Sequence, residues 1–390
     1  MIMIYPSEIT KKWPHRPLSE VVDFLDSKRK PITQKDRVPG PYPYYGANGQ
    51  QDSVADYIFD EPLVLLAEDG GHFGDADKTI AYQVEGKCWV NNHAHVLRPK
   101  KDVDIRYICR HLERYDVTPF ITGSTRGKLT KTAANNIPIA LPPLEEQRRI
   151  AAILDKADGV RRKRKEAIRL TDELLKSTFL EMFGDPVTNP KGWEVRELGD
   201  CVKDIESGWS PKCDTRQAEP EEWGVLKLGA VTYGHFNPDE NKAMLPDDVP
   251  RQELEIKTGD LLVTRKNTYE LVGASAFVQM TRPKLMLPDL IFRLRLIDGI
   301  DPVYVWQTLS QKTMRLKLSG LAGGTAGSMP NISKARLRTL PFPVPPQLLQ
   351  LKYREIFNQF WLKKEHQKES EEISENLFNS LLQRAFRGEL

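Results

Sequence analysis

Pro142-Pro143-Leu144-Glu145-Glu146-Gln147 opens a stretch that closes on Phe183-Gly184-Asp185-Pro186. Between Pro143 and Gly184 there is no proline and one glycine, Gly159. Proline is tolerated at a helix start because the first N–H groups have no partner within the helix, and Glu145 and Glu146 complement the positive end of the dipole. Glycine just past the last apolar residue, with proline two positions on, is a stop signal. At ~1.5 Å per residue the stretch predicts a rod of roughly 60 Å, a spacer rather than an ordinary core helix.

Leu154, Arg161, Ile168, Leu175 and Met182 recur every seven residues, beside Ile150, Ile153, Ala157, Val160, Ala167, Thr171 and Leu174. Such recurrence predicts a seam against another helix. The run Arg161-Arg162-Lys163-Arg164-Lys165 interrupts it; a solvated face is the first reading, a phosphate- or partner-binding strip its rival. The chain supplies a second rod. Leu340-Pro341-Phe342-Pro343-Val344-Pro345-Pro346-Gln347 echoes Ile137 to Leu144 at an offset of 203, and Gln350 falls where Gln147 does. A further proline-free run follows, to Arg387-Gly388, carrying Leu349, Tyr353, Ile356, Phe360, Ile373, Leu377, Leu381 and Leu382.

The repeat extends outward. Lys12 to Glu20 matches Gly192 to Asp200 at an offset of 180, Thr122 to Gly127 matches Ala322 to Gly327 at 200, and Leu129-Thr130-Lys131 matches Ile332-Ser333-Lys334 at 203. The match is strong at the edges of each copy and absent from the middles. The expected architecture is mixed α/β: two globular domains, residues 1–143 and 185–345, joined by two long antiparallel coiled-coil helices, 144–184 and 346–390, with an internal pseudo-twofold repeat. Dissimilar middles on one scaffold suggest modules that recognise different things. Within the first domain, Glu61 to Ala67, Ile80 to Val84 and Cys88 to Val90 read as strands and Ile105 to Tyr115 as a helix. In the second, Trp223 to Val231, Leu261 to Thr264 and Ile291 to Ile297 read as strands and Pro302 to Leu318 as a helix.

With 57 basic and 54 acidic residues, a net charge of +3, there is no global basic field, so any affinity for nucleic acid must come from local clusters. Cys88, Cys109, Cys201 and Cys213 show neither a C-x-x-C pair nor zinc-ligand spacing, which predicts reduced thiols and a cytoplasmic location. Met1 to Pro6 lacks the features of a signal peptide, and no apolar run approaches membrane-spanning length, so a soluble protein without membrane contact is expected.

Leu141-Pro-Pro-Leu-Glu-Glu-Gln-Arg-Arg-Ile150, Tyr45-Gly-Ala-Asn-Gly49, Asn92-His-Ala-His-Val-Leu97, Gly123-Ser-Thr-Arg-Gly127 and Ala385-Phe-Arg-Gly-Glu-Leu390 resemble the specificity subunit of type I restriction–modification systems, over essentially the whole chain. The second copy departs from the motif, because Gln347-Leu348-Leu349-Gln350 lacks the two glutamates. The resemblance implies two target-recognition domains, each reading one half of a split, asymmetric site on double-stranded DNA, held about one helical turn (~34 Å) apart. It also implies assembly with two methyltransferase subunits, which bring S-adenosylmethionine, and with restriction/translocase subunits, which use ATP and Mg²⁺. Those cofactors belong to the partners; none is expected on this chain.

Three features imitate catalytic chemistry. Asp301-Pro302-Val303-Tyr304 resembles the Asp-Pro-Pro-Tyr loop with which amino-methyltransferases hold a flipped base, but the second proline is missing and a helix start explains it better. Pro246-Asp247 with Glu255-Ile256-Lys257 formally matches a nuclease's carboxylates and lysine at a spacing that recurs by chance. His93 and His95 read as neighbours on one strand face, hydrogen-bonded structural groups rather than metal ligands. The competing readings are a self-contained DNA methyltransferase or nuclease, and a pure scaffold.

Sequence-specific readout needs Arg, Lys, Asn, Gln or hydroxyl side chains at base edges, with phosphate contacts that fix register. On that basis the candidate DNA-binding residues are Asn48, Gln50, His72, Lys78, Asn91, Asn92, Arg126 and Lys128 in the first domain. In the second they are Lys227, Tyr233, Arg265, Lys266, Asn267 and Thr325. Arg126 and Arg265 lead; Arg265-Lys266-Asn267 directly follows an apolar strand. If helix length sets the separation of the half-sites, residues inserted into the first long helix will change the preferred spacer before they change half-site sequence. Mapping of methylated sites tests this, and altered half-sites around an unchanged spacer would refute it.

Overall fold

The structure is a computed structural model that describes residues 3–9, 12–75, 77–123, 127–323 and 329–390. The chain divides into two compact units, residues 1–168 with 366–390 and residues 169–365, so each contains part of both long helices. Those helices are Leu144–Phe183 and Gln347–Phe386. Gly184, at φ +75°, ends the first, and a Cβ there would stand 2.6 Å from the Pro190 ring.

Each unit is built to one plan. In the first, an antiparallel sheet runs in the order Val22–Phe24, Ala94–Pro99, Leu63–Ala67, Ala81–Val84. In the second, the order is Val202–Ser207, Ile291–Leu296, Leu261–Thr264, Ser275–Phe277. A further sheet in each contains one parallel pair: Pro39–Gly46 with Lys87–Val90, and Gly224–Leu226 with Leu285–Met286. A two-stranded ribbon closes each unit, His15–Pro17 on Pro138–Ala140 and Glu194–Glu197 on Pro341–Val344. The middles that share no sequence therefore share topology. Leu63–Ala67 and Leu261–Thr264 are buried along their whole length, as inner strands covered on both faces must be.

One buried glutamine locks each long helix to its globular part. Gln147 Oε1 accepts from the Asp104 N–H (2.9 Å), while its Nε2 donates to the Pro142 carbonyl (2.9 Å). Asp104 in turn caps the helix Ile105–Leu112, and Tyr107 on that helix donates to the Ala140 carbonyl (2.6 Å). In the second unit Gln350 accepts from the Asp301 N–H (2.9 Å) and donates to the Pro345 carbonyl (2.8 Å). Asp301 caps Pro302–Ser310, and Tyr304 donates to the Pro343 carbonyl (2.8 Å). The Asp301-Pro302-Val303-Tyr304 motif is thus a helix cap with a buried tyrosine behind it.

Within each unit the two helix segments pack antiparallel. In the first, Ile150 and Leu154 share a core with Phe378, Leu382 and Phe386, and beyond it Arg161 pairs with Glu375 (3.2 Å). In the second, Phe179 and Phe183 meet Tyr353 edge-on at 5.4 and 5.5 Å, and Asp172 pairs with Lys364 (2.6 Å). The seam differs from the seven-residue reading: Val160, Leu174, Ile373 and Leu377 are exposed, while Phe179, Phe183, Phe357 and Phe378 are buried. A strict heptad drifts about 20° per repeat on a straight helix, so it misplaces residues toward the ends. Arg161 also leaves the solvated face assigned to the basic run, since it lies in the seam.

Three local expectations change. Trp223 to Val231 is a strand only over Gly224–Leu226, then a short helix, Gly229–Thr232. Pro302 to Leu318 breaks at Gln311 into Pro302–Ser310 and Lys312–Gly320, and the helix from Ile105 ends at Leu112. His93 sits in a turn and only His95 on the strand Ala94–Pro99.

Asp158 is the charged centre of the first unit's seam. It is buried and receives Arg110 (2.9 Å), Arg161 (2.6 Å) and Arg162 (2.6 Å). Burial by itself would raise its pKa, but hydrogen bonds and charge from Arg110 and Arg161 outweigh that and hold it at about 2. A carboxyl depressed in the folded state stabilises at pH above its unfolded value near 3.8, and this contribution fades as pH falls through about 2. Asp158→Ala, which removes the buried carboxylate that Arg110 and Arg161 share and leaves them Glu113, Asp155 and Glu375, is expected to destabilise by about 2–4 kcal/mol at neutral pH. Urea unfolding at pH 7 and pH 2.5 checks this, and the difference from wild type should narrow at the lower pH.

Candidate nucleic-acid interface

In each unit, three loops meet where a buried inner strand ends. In the first unit the strand Leu63–Ala67 runs into Glu68-Asp69-Gly70. The Leu129 N–H donates to the Glu68 carbonyl (2.7 Å), Asp69 and Lys128 form a β-bridge, and Asn48 Nδ2 donates to the Gly70 carbonyl (2.9 Å). In the second unit Leu261–Thr264 runs into Arg265-Lys266-Asn267. There the Ile332 N–H donates to the Arg265 carbonyl (2.8 Å), Lys266 bridges to Asn331, and Asn267 Nδ2 donates to Thr232 Oγ1 (3.2 Å). The backbone bonding is the same at both junctions; the side chains are not.

The first junction is a neutralised, polar one. Glu68 binds Arg29 (2.6 Å) and Lys128 (3.0 Å), and buried His95 lies between Asp26 (Nδ1 to Oδ2, 2.7 Å) and the Leu129 carbonyl (Nε2, 2.8 Å). Burial pushes the Asp26 and Glu68 carboxyls up, but His95 beside Asp26 and the two cations beside Glu68 prevail and hold both below their ordinary values. Asp26, Glu68 and His95 offer ligand atoms within 4.8 Å of one another, a grouping absent from the sequence reading. Arg29 and Lys128 already supply the positive charge, and a His95 nitrogen facing a carbonyl must carry hydrogen, so the donor set suits an ion network better than a metal. Beside it is a cleft of about 450 Å³ whose walls include Arg37, Tyr44, Asn48, Gln51, Asn92 and His93. Arg37 lies 4.3 Å over the Tyr44 ring, and His93 Nδ1 is 2.5 Å from Asp69.

The second junction is cationic. Arg265 donates to Asn331 Oδ1 (3.2 Å) with its guanidinium 5.3 Å from the Phe292 ring centre, and neither Arg265 nor Lys266 has an ion pair among the described residues. Tyr233 stands exposed next to Thr232.

The fourteen candidate positions divide accordingly. Asn48, Asn92 and Lys128 gather at the first junction, and Tyr233, Arg265, Lys266 and Asn267 at the second. Asn91 is buried, donating to Gln51 (3.1 Å) and accepting from the His93 N–H (2.8 Å), so it shapes the turn. Asn267 is likewise buried and holds loops together. Gln50 folds back on Asp52 and Ser53, Lys78 pairs with Asp75 (3.4 Å), and Lys227 lies 4.0 Å from Glu240. His72 follows the first junction in the same loop, half-buried. Arg126 and Thr325 lie outside the described residues. Arg37 and Gln51 line the cleft and are not among the candidates. Alternation along Gly49–Val54 puts Gln50 and Gln51 on opposite faces, and nothing local says which face lines a cleft.

Asp247 and Glu255 fall in no cluster of three metal ligands among the described residues, and Glu255 instead accepts from the Lys284 N–H (2.8 Å).

Residues 10–170 match the family described as the type I restriction modification DNA specificity domain. The type I restriction enzyme EcoEI specificity subunit of Escherichia coli is 36% identical over 178 residues, 45% of this chain. Residues 10–170 thus resemble the type I DNA specificity domain. The chain spans 30% of the EcoEI subunit's length, so similarity at that level is confined to part of each protein. The specificity subunit MjaVIII of Methanocaldococcus jannaschii is 22% identical, over 96% of this chain and 93% of that one. In fold, the S subunit of a type I restriction-modification system from M. genitalium aligns over 96% of both chains with a TM-score of 0.62 at 13% identity. Among the described residues, no helix is long and apolar enough to cross a membrane.

Arg265 is a half-buried cation held at a fixed junction, with no ion pair among the described residues. Arg265→Ala is expected to weaken binding to the cognate site by about 1–3 kcal/mol at near-physiological salt, whereas Gln50→Ala changes it little. Fluorescence anisotropy titrations with the mapped site check both.

Proposed function

We propose that this chain is a sequence-specific DNA-recognition subunit of a type I restriction–modification assembly, reading a bipartite, asymmetric site and directing adenine methylation or cleavage by partner subunits. The observation that carries the reading is the pair of junctions: one backbone scaffold, made twice, presents a polar cleft in one unit and, in the other, cations with no ion pair among the described residues. Two half-sites of different sequence require just such a pair of heads. In this reading residues 1–143 and 185–345 recognise DNA, while 144–184 and 346–390 act as spacers. The chain itself is non-catalytic and acts in the cytoplasm, with two methyltransferase subunits and the restriction/translocase subunits supplying the chemistry. Repeated helix and domain edges suit two copies of one partner.

A self-contained methyltransferase is disfavoured because Asp301 and Tyr304 are spent on a helix cap and a buried hydrogen bond. The deciding experiment uses the purified chain alone and with a methyltransferase partner. A recognition subunit gives site-specific adenine methylation only in company; methylation or cutting by the chain alone would make it an enzyme, and assembly without sequence preference would make it a scaffold.

A further inference from the structure

The second junction carries something the first lacks. Tyr233 is 73% exposed and Tyr269 66% exposed, although phenol rings of that size are normally half covered. They lie on two loops that buried Asn267 ties together: its Nδ2 donates to Thr232 Oγ1 (3.2 Å) and its Oδ1 accepts from the Thr268 N–H (2.9 Å). Its own N–H reaches the Pro330 carbonyl of the third loop (3.4 Å). Each tyrosine is therefore the next residue, or next but one, after a bonded residue. Two exposed rings stand on a braced base, not on free loop tips.

Their setting selects a partner. Arg265 and Lys266 enter the same junction without an ion pair among the described residues, and Glu270 follows Tyr269 in the loop. An exposed aromatic with cations at its side fits the flat face of a nucleobase and the phosphate next to it. Among the described residues of the first unit's junction no large apolar side chain is exposed, and beside it is a cleft whose walls include Asn48, Gln51 and Asn92.

We propose that Tyr233 and Tyr269 are base-stacking residues, with which the second unit opens a base step in its half-site while the first unit reads its half-site without unstacking. This rests on the DNA-recognition reading and adds to it a mode of contact: shape and deformability of the step, beyond hydrogen-bonded readout, select the second half-site.

The full chain, assembled with its methyltransferase partner, is tested on duplexes carrying the mapped site with 2-aminopurine at successive positions. Leaving aside the target adenines that a methyltransferase extrudes, the expected result is a fluorescence rise at one step of the half-site read by the second unit and none in the other. Replacing both tyrosines (Tyr233→Ala with Tyr269→Ala) should abolish the rise and weaken specific binding about 10–100-fold. The corresponding Phe substitutions should keep both, because stacking needs the ring and not the hydroxyl. A rise that survives the alanine changes overturns the inference. So does loss of methyltransferase assembly with DNA contact unchanged, which would make the patch a protein-docking surface. If wild type methylates its site with no rise outside those adenines, stacking falls and DNA recognition stands; a wild-type complex without sequence preference sinks both.

Discussion

Two buried glutamines hold this architecture. Gln147 and Gln350 each accept from the N–H of an aspartate that caps a helix in the globular part and donate to the proline carbonyl at the start of a long helix. A side-chain amide with both ends satisfied in a buried site is stabilising and directional; a half-satisfied one costs about 1–3 kcal/mol. The bond fixes where each long helix leaves its unit. Once that direction is set, the ribbon strands, the tyrosines behind the caps and the antiparallel helix segments follow in both units.

The two seams then solve one packing problem with different chemistry. The second unit buries aromatic rings, Phe179, Phe183, Tyr304 and Tyr353, against one another. The first adds a network of Arg110, Asp158, Arg161 and Glu375 beyond its apolar core. Dense apolar contact tolerates small shifts. Paired buried charges do not, because any slip leaves a charge without its counter-ion. The junctions diverge in the same manner, with neutralised charge and amides in one and open cations with exposed rings in the other.

Much of this was legible in the chain. The Pro-Pro-x-x-x-Gln motif in duplicate announced the rods, their ends and the doubled plan, because helix starts and stops depend on local backbone chemistry. The buried strands Leu63–Ala67 and Leu261–Thr264 followed from short apolar runs between turn signals. The break at Gln311 and the helix at Gly229–Thr232 did not, since short segments take their conformation from what they pack against.

What the sequence determined by itself was duplication, the lengths of the long helices and the residue types available for contact. Only the tertiary structure decided that the unmatched middles share a topology, that three distant loops meet at one strand end in each unit, and that Asn91 and Asn267 brace those loops while Tyr233 stands clear of them. The reason is physical: backbone hydrogen bonding near a helix end is encoded within a few residues, whereas a junction of loops scores of residues apart exists only once the sheet has brought its strand ends together.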